Sequence, residues 1–119
     1  MKTLIIGASN KKQRYSYKAF CRLREKGHEV ILSHPKIKTI EGVEVFDNLK
    51  DINQKIDTVT LYVNKGISSK MSDDILSLKP RRIIFNPGTE NEELKRKAEE
   101  AKIECVYGCT LVMLASGQY

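Results

Sequence analysis

The densest run of side chains able to do chemistry is Gly7-Ala8-Ser9-Asn10, followed by Lys11, Lys12, Gln13, Arg14, Tyr15 and Ser16. A glycine directly after a short apolar run lets backbone approach an anion closely. The first turn of a following helix supplies unpaired N–H groups at the positive end of its dipole. Ser9 and Ser16 add hydroxyl donors, and Lys11, Lys12, Arg14 and Lys18 add charge. Together these are the ingredients of a phosphate site. The same residues also have a plainer use, with Gly7 making the strand-to-helix turn and Ser9 or Ser16 capping the helix. The loop departs from the dinucleotide fingerprint G-x-G-x-x-G, because Ser9 and Lys12 stand where glycines would be wanted. A dinucleotide's pyrophosphate packed tightly against the helix is therefore disfavoured.

A second loop bears on which phosphate compound would fit. A NAD site wants an acid at the end of the second strand, about 20 residues beyond the glycines, to hold a ribose hydroxyl. Here the segment reads Leu32-Ser33-His34-Pro35-Lys36, without a carboxylate. Lys36 suits an additional phosphate, either the 2′-phosphate of NADP or the 3′-phosphate of coenzyme A. It also reads as an ordinary loop lysine. His34 could stack on or donate to the same group, or be solvated. Val63-Asn64-Lys65-Gly66 could line an adenine or pantetheine path, with Asn64 alternatively capping a helix. Asn86-Pro87-Gly88-Thr89-Glu90 places a tight Pro-Gly turn at another strand end, where turn and ligand-lining roles can coexist.

Little points to catalysis. There is no G-x-S-x-G elbow and no P-loop pattern. Cys109 with His34 and Glu90 could form a thiol site, but nothing in the sequence fixes their geometry, and a cysteine buried as a small hydrophobe is the commoner case. The three cysteines Cys21, Cys105 and Cys109 have neither redox nor zinc-knuckle spacing, and with His28 and His34 the only histidines no metal site is expected.

The elements needed to position these loops are legible as alternation. Short β-branched runs at 3–6, 29–32, 58–63, 82–85 and 104–106 read as strands. Between several of them lie stripes with helical spacing: Ala19, Phe20 and Leu23; Ile67, Met71, Ile75 and Leu78; Leu94, Ala98 and Ala101. Gly27 suits a helix C-terminus, and Thr89 with Glu92 reads as a capping box opening the third helix. This implies right-handed βαβ crossovers and a Rossmann-like, doubly wound parallel sheet of about five strands in a three-layer αβα arrangement. The least regular stretch, 33–54, would hold a small extra strand at 43–46 and a short helix near 49–52. Residues 110–115 would form a closing helix or a sixth strand.

Composition narrows the classes further. A chain of 119 residues suggests one domain over 1–119, without room for a separate catalytic domain. Its longest unbroken apolar run, 111–115, is far short of a membrane span, and the first residues read as a strand rather than a leader, so a cytoplasmic protein without membrane association is expected. The net charge of +6 could suggest nucleic acid. Residues 11–26, however, hold Lys11, Lys12, Arg14, Lys18, Arg22, Arg24 and Lys26 against Glu25 alone, and this accounts for the whole excess. Arg22, Arg24 and Lys26 could equally be a solvated helix face. Local concentration and the lack of an aromatic stacking patch argue for a small nucleotide ligand over nucleic acid.

The order and spacing of Gly7-Ala8-Ser9, Arg14-Tyr15-Ser16-Tyr17-Lys18-Ala19, Gly27-His28-Glu29-Val30, His34-Pro35-Lys36, Gly42, Asn86-Pro87-Gly88-Thr89-Glu90 and Gly108-Cys109-Thr110-Leu111 resemble the small stand-alone CoA-binding domain proteins. These in turn resemble the domain that opens the succinyl-CoA synthetase alpha subunit. The resemblance implies coenzyme A as ligand. Gly7, Ala8, Ser9, Asn10, Arg14, Tyr15 and Ser16 would lie around its phosphates, with His34, Pro35 and Lys36 near the adenosine end. Val63, Pro87 and Gly88 would line the rest of the cleft. Family members commonly carry Asn-Pro where this chain has His34-Pro35. The synthetase's other parts are missing, so its ligase activity is not carried over. The expectation is a binding module without catalysis of its own. The runners-up are an NADP-dependent reductase, an acyl-CoA enzyme using Cys109, or a nucleotide-sensing regulator. Small α/β domains often dimerise, which leaves a homodimer or another protein partner open.

Overall fold

A computed structural model describes residues 1–119. Seven strands form one sheet: β1 (Lys2–Ile6), β2 (Glu29–Ser33), β3 (Thr39–Ile40), β4 (Val43–Phe46), β5 (Thr58–Leu61), β6 (Arg82–Phe85) and β7 (Glu104–Tyr107). Their order is β3-β4-β2-β1-β5-β6-β7. All neighbours are parallel except the two-residue β3, which runs antiparallel to β4. The five expected strands form the centre and one flank. β4 and β3 lengthen the other edge, where the extra strand was expected and its hairpin partner was not. A strand of two residues has too few side chains to show a period.

Five helices cover the faces: α1 (Tyr15–Glu25), α2 (Lys65–Lys70), α3 (Ser72–Ser77), α4 (Glu92–Glu100) and α5 (Thr110–Ser116). A 3-10 turn at Leu49–Asp51 accounts for the short helix anticipated there. Alternation within each strand sends side chains to two different cores. Leu4, Ile6, Val59, Leu61, Ile83 and Phe85 meet Ile75, Leu94 and Ala98 on one face. Ile5 and Leu32 meet Ala19, Phe20, Leu23 and Leu114 on the other. Full burial of a side chain such as Phe20 or Leu23 contributes about 1.5–3 kcal/mol. No helix is long and apolar enough to cross a membrane.

Helix ends show where local signals sufficed. Gly27 adopts φ +84° after α1. Its N–H donates to Arg24 O and that of His28 to Leu23 O, both at 3.0 Å, closing a Schellman motif. The expected capping box, in contrast, does not form. Asn91 caps α4 by accepting the Leu94 N–H at 3.1 Å. Thr89 is drawn into the preceding turn, donating to Asn86 O at 2.8 Å, and Glu92 accepts the Tyr107 hydroxyl at 2.9 Å. The stripe from Ile67 to Leu78 is not one helix either. The chain breaks at Met71 (φ −102°, ψ 1°), where Ser72 Oγ donates back to Ser69 O at 2.8 Å. The break turns Ile67 outward while Met71, Ile75 and Leu78 stay against the core.

One ion pair ties the strand starts opposite to the helix-bearing loops. Arg81 Nε and Nη2 donate to Asp57 Oδ1 and Oδ2 at 2.9 and 3.1 Å. These bonds hold the Asp57 carboxyl below its ordinary value of 3.8, assisted by the Thr58 hydroxyl and opposed by burial. Because the folded carboxyl titrates below the unfolded one, its contribution is complete above about pH 4 and is lost as pH falls through the folded pKa. Arg81 is half exposed, so the contribution should stay under about 1 kcal/mol. Chemical denaturation at pH 7 and near pH 3 should show a smaller acid-induced loss for Asp57→Asn than for the native chain.

Candidate functional site

The chain leaves β1 toward β2, β4 and β3 on one side and β5 toward β6 and β7 on the other. The carboxyl ends of β1 and β5 therefore flank the topological switch point, the position of the crevice in which α/β sheets hold ligands. Gly7 stands at the end of β1 and Tyr62-Val63 at the end of β5. A Cβ on Gly7, whose φ is +90°, would lie 2.8 Å from Val63 Cγ1 and 2.9 Å from Tyr62 O. The glycine is therefore required by the crossing β5 loop. Its N–H is already engaged: Gly7 and Ala8 both donate to Ser33 O at 3.1 Å, so the end of β2 is gathered into the same junction.

Open donors begin one residue later. Ser9 Oγ accepts the Lys11 N–H at 3.1 Å, and Arg14 N–H donates to Lys11 O at 3.0 Å. The N–H groups of Ser9, Asn10, Lys12 and Gln13, and of Tyr15, Ser16 and Tyr17 in the first turn of α1, have no acceptor within the chain. Neither Ser9 nor Ser16 caps α1. Arg14 occupies the cap position without a side-chain bond, and the first turn carries no acid. Asn48, Asn64 and Asn91 cap the 3-10 turn, α2 and α4, whereas α3 and α5, like α1, begin without a side-chain cap. The bare start of α1 also sits among cations: Lys11, Lys12 and Arg14 are exposed, with no carboxylate within 4 Å. Tyr15 projects into solvent at 68% exposure, whereas Ser16 is buried.

The loop after β2 is shaped by its histidine. His34 Nδ1 accepts the N–H groups of Lys36 at 3.0 Å and Ile37 at 3.2 Å. This is the bond pattern that an asparagine side chain makes in a turn of its own. Burial, and then the Lys36 charge, lower the His34 pKa. The neutral ring with Nδ1 as acceptor carries its proton on Nε2. Lys36 itself is exposed and unpaired, beside exposed Pro35.

On the other flank of the crevice, Asn64 caps α2 by accepting the Ile67 N–H at 3.0 Å. Pro87 and Gly88 are exposed at the end of β6, with Gly88 at φ +90°. The Gly88 N–H is held by Glu90 Oε1 at 3.1 Å. Beneath this turn lies a residue to which the sequence assigned no role. Asn86, 2% exposed, donates from Nδ2 to Thr60 Oγ1 at 2.7 Å and Leu61 O at 2.9 Å. Its Oδ1 accepts the Thr110 N–H at 2.9 Å. The hydroxyls of Thr60 and Thr110 share a further bond at 2.8 Å. One amide thus joins β5, β6 and the start of α5; only a polar residue inside an otherwise apolar strand end could have signalled it. Cys109, which precedes α5, is half-buried and free, and no hydrogen bond joins it to His34 or Glu90.

These contacts set an order of sensitivity measurable by urea denaturation. Gly7→Ala should cost about 2–4 kcal/mol through strain and overlap, and Asn86→Ala about 2–3 kcal/mol through orphaned buried partners. Asn64→Ala should cost only about 1 kcal/mol for a lost cap.

Residues 1–115 match a protein family described as CoA binding domain. Among solved structures, a crystal structure of an uncharacterized protein is 47% identical over 99% of this chain and 97% of its own, with a TM-score of 0.94. A protein from Pyrococcus horikoshii is 24% identical over 98% of this chain and 82% of its own, with a TM-score of 0.89. A dinucleotide-forming acetyl-coenzyme A synthetase from Ca. Korarchaeum cryptofilum shares the fold at 18% identity, covering 90% of this chain but 25% of its own, with a TM-score of 0.75.

Proposed function

The chain belongs to the CoA-binding domain family, and from that membership we propose that it binds coenzyme A, or an acyl-CoA, at the β1/β5 crevice without catalysis of its own. The observation that carries this reading is the start of α1: open N–H groups, no cap, no acid and three unpaired bases in one place. An anion there would gain hydrogen bonds, the helix dipole and charge together, while giving up no existing internal bond. The pyrophosphate of coenzyme A fits that donor set, with Ser9, Asn10, Tyr15 and Ser16 offering N–H groups and Lys11, Lys12 and Arg14 offering charge. Gly7 and Ala8 then shape the floor rather than donate.

Lys36, presented by the turn that His34 Nδ1 holds, would meet the 3′-phosphate. The pantetheine arm would run past Val63 toward Pro87-Gly88. The expectation of no catalysis draws support from Cys109, whose candidate base and acid are both bonded elsewhere. A lysine at Lys36 would suit the 2′-phosphate of NADP equally well, so that ligand is the second reading.

Calorimetry with coenzyme A, dephospho-CoA, NADP and NAD separates them. Coenzyme A should bind tightest. Lys36→Ala should weaken it about tenfold while leaving dephospho-CoA nearly unchanged. Arg14→Ala should weaken both alike. Tight NADP binding with no heat from coenzyme A would reject the assignment, and equal losses for both CoA forms in Lys36→Ala would reject the lysine's role.

A further inference from the structure

The amino-terminal edge of the sheet, opposite the crevice, contains a cation that nothing in the chain neutralises. Arg82 opens β6 and is 5% exposed. Its Nε donates to Thr58 Oγ1 at 3.2 Å, and its guanidinium carbon lies 4.5 Å from the centre of the Tyr119 ring. Its Nη2 is buried and has no hydrogen-bond partner. No carboxylate comes within 4 Å of it. Asp57 is connected to it only through Thr58, whose hydroxyl donates to Asp57 Oδ2 at 2.7 Å, and both Asp57 oxygens already serve Arg81.

An arginine cannot shed its charge to relieve such a position. A desolvated cation with an idle donor is unfavourable, and an aromatic face recovers only part of the loss. The cover over it is the Tyr119 side chain, which also packs against the core that includes Ile5, Phe20 and Leu114. Tyr119 follows Gly117, which ends α5 at φ +76°. It is held by its hydroxyl to Thr3 Oγ1, by an edge contact with His28 at 5.1 Å between ring centres, and by the preceding Gln118 N–H to Met113 O at 2.8 Å.

We propose that Arg82 is the receptor of a second ligand site at this edge, specific for a small carboxylate and closed by Tyr119 as a displaceable cover. A planar carboxylate matches the guanidinium fork and would supply both the missing charge and an acceptor for Nη2. The site is independent of coenzyme A, and its test does not require that ligand.

In ¹⁵N-labelled protein the Arg82 Nε–Hε resonance, identified by its loss in Arg82→Lys, should move saturably when sodium formate replaces sodium chloride at constant ionic strength. Tyr119→Ala should tighten formate binding at least about tenfold, because the ligand no longer has to displace the ring. Tyr119→Phe, which keeps the ring and loses the Thr3 bond, should fall between the two. The proposal is overturned if the resonance shows no saturable shift up to about 100 mM formate, equivalent to less than roughly 1.4 kcal/mol at a 1 M reference, in both the native chain and Tyr119→Phe. It is equally overturned if the Tyr119 variants bind no more tightly than the native chain.

Discussion

Three strand ends converge on Gly7, and the closeness of that convergence governs the rest of the crevice. Ser33 O at the end of β2 accepts the N–H groups of Gly7 and Ala8. Tyr62 N–H at the end of β5 donates to Ile6 O at 2.8 Å. Val63 packs where a side chain on Gly7 would have to stand. No residue with a Cβ satisfies both the positive φ and the contact distance, so the glycine fixes how near the first and fifth strand loops approach. The position of the α1 start follows from that junction, because only the short 8–14 segment separates them. Asn86 performs a parallel task on the far side, using both ends of its amide to hold β5, β6 and α5 in one arrangement.

Within this rigid frame the electrostatics are uneven. The helix α4 opens with Glu92 and Glu93 and balances its bases through Lys95–Glu99, Arg96–Glu100 and Lys97–Glu93 pairs. The helix α1 opens with nothing to match its dipole and is preceded by bases. Such pairs contribute little individually at a surface, so the contrast matters less for stability than for ligand preference. Cations and open N–H groups left unpaired in the free protein retain their full interaction for an incoming anion. Buried Arg82 is a second unpaired cation, distinguished from the first by desolvation and by the ring of Tyr119 over it.

The alternation of strands and helices, the positive-φ glycine ending α1, and the concentration of charge on residues 11–26 were all legible in the chain. Each depends on local periodicity, on the conformational freedom of one residue type, or on counting. The cap of α4 and the continuity of the α2–α3 stripe were not. Thr89 could serve either the preceding turn or the helix start, and the fold selected the turn. His34 also carried an ambiguous signal, since its Nδ1 serves a turn as readily as a ligand.

The sequence alone determined that a glycine, a helix start and a cluster of bases would follow the first strand, because these are properties of neighbouring residues. Tertiary structure decided which of those groups stay available. It committed the N–H groups of Gly7 and Ala8 to Ser33, left the first turn of α1 open, made Asn86 a junction and sealed Arg82 beneath Tyr119. Those outcomes depend on which distant strand ends lie within a hydrogen bond of one another, and no local pattern encodes that distance.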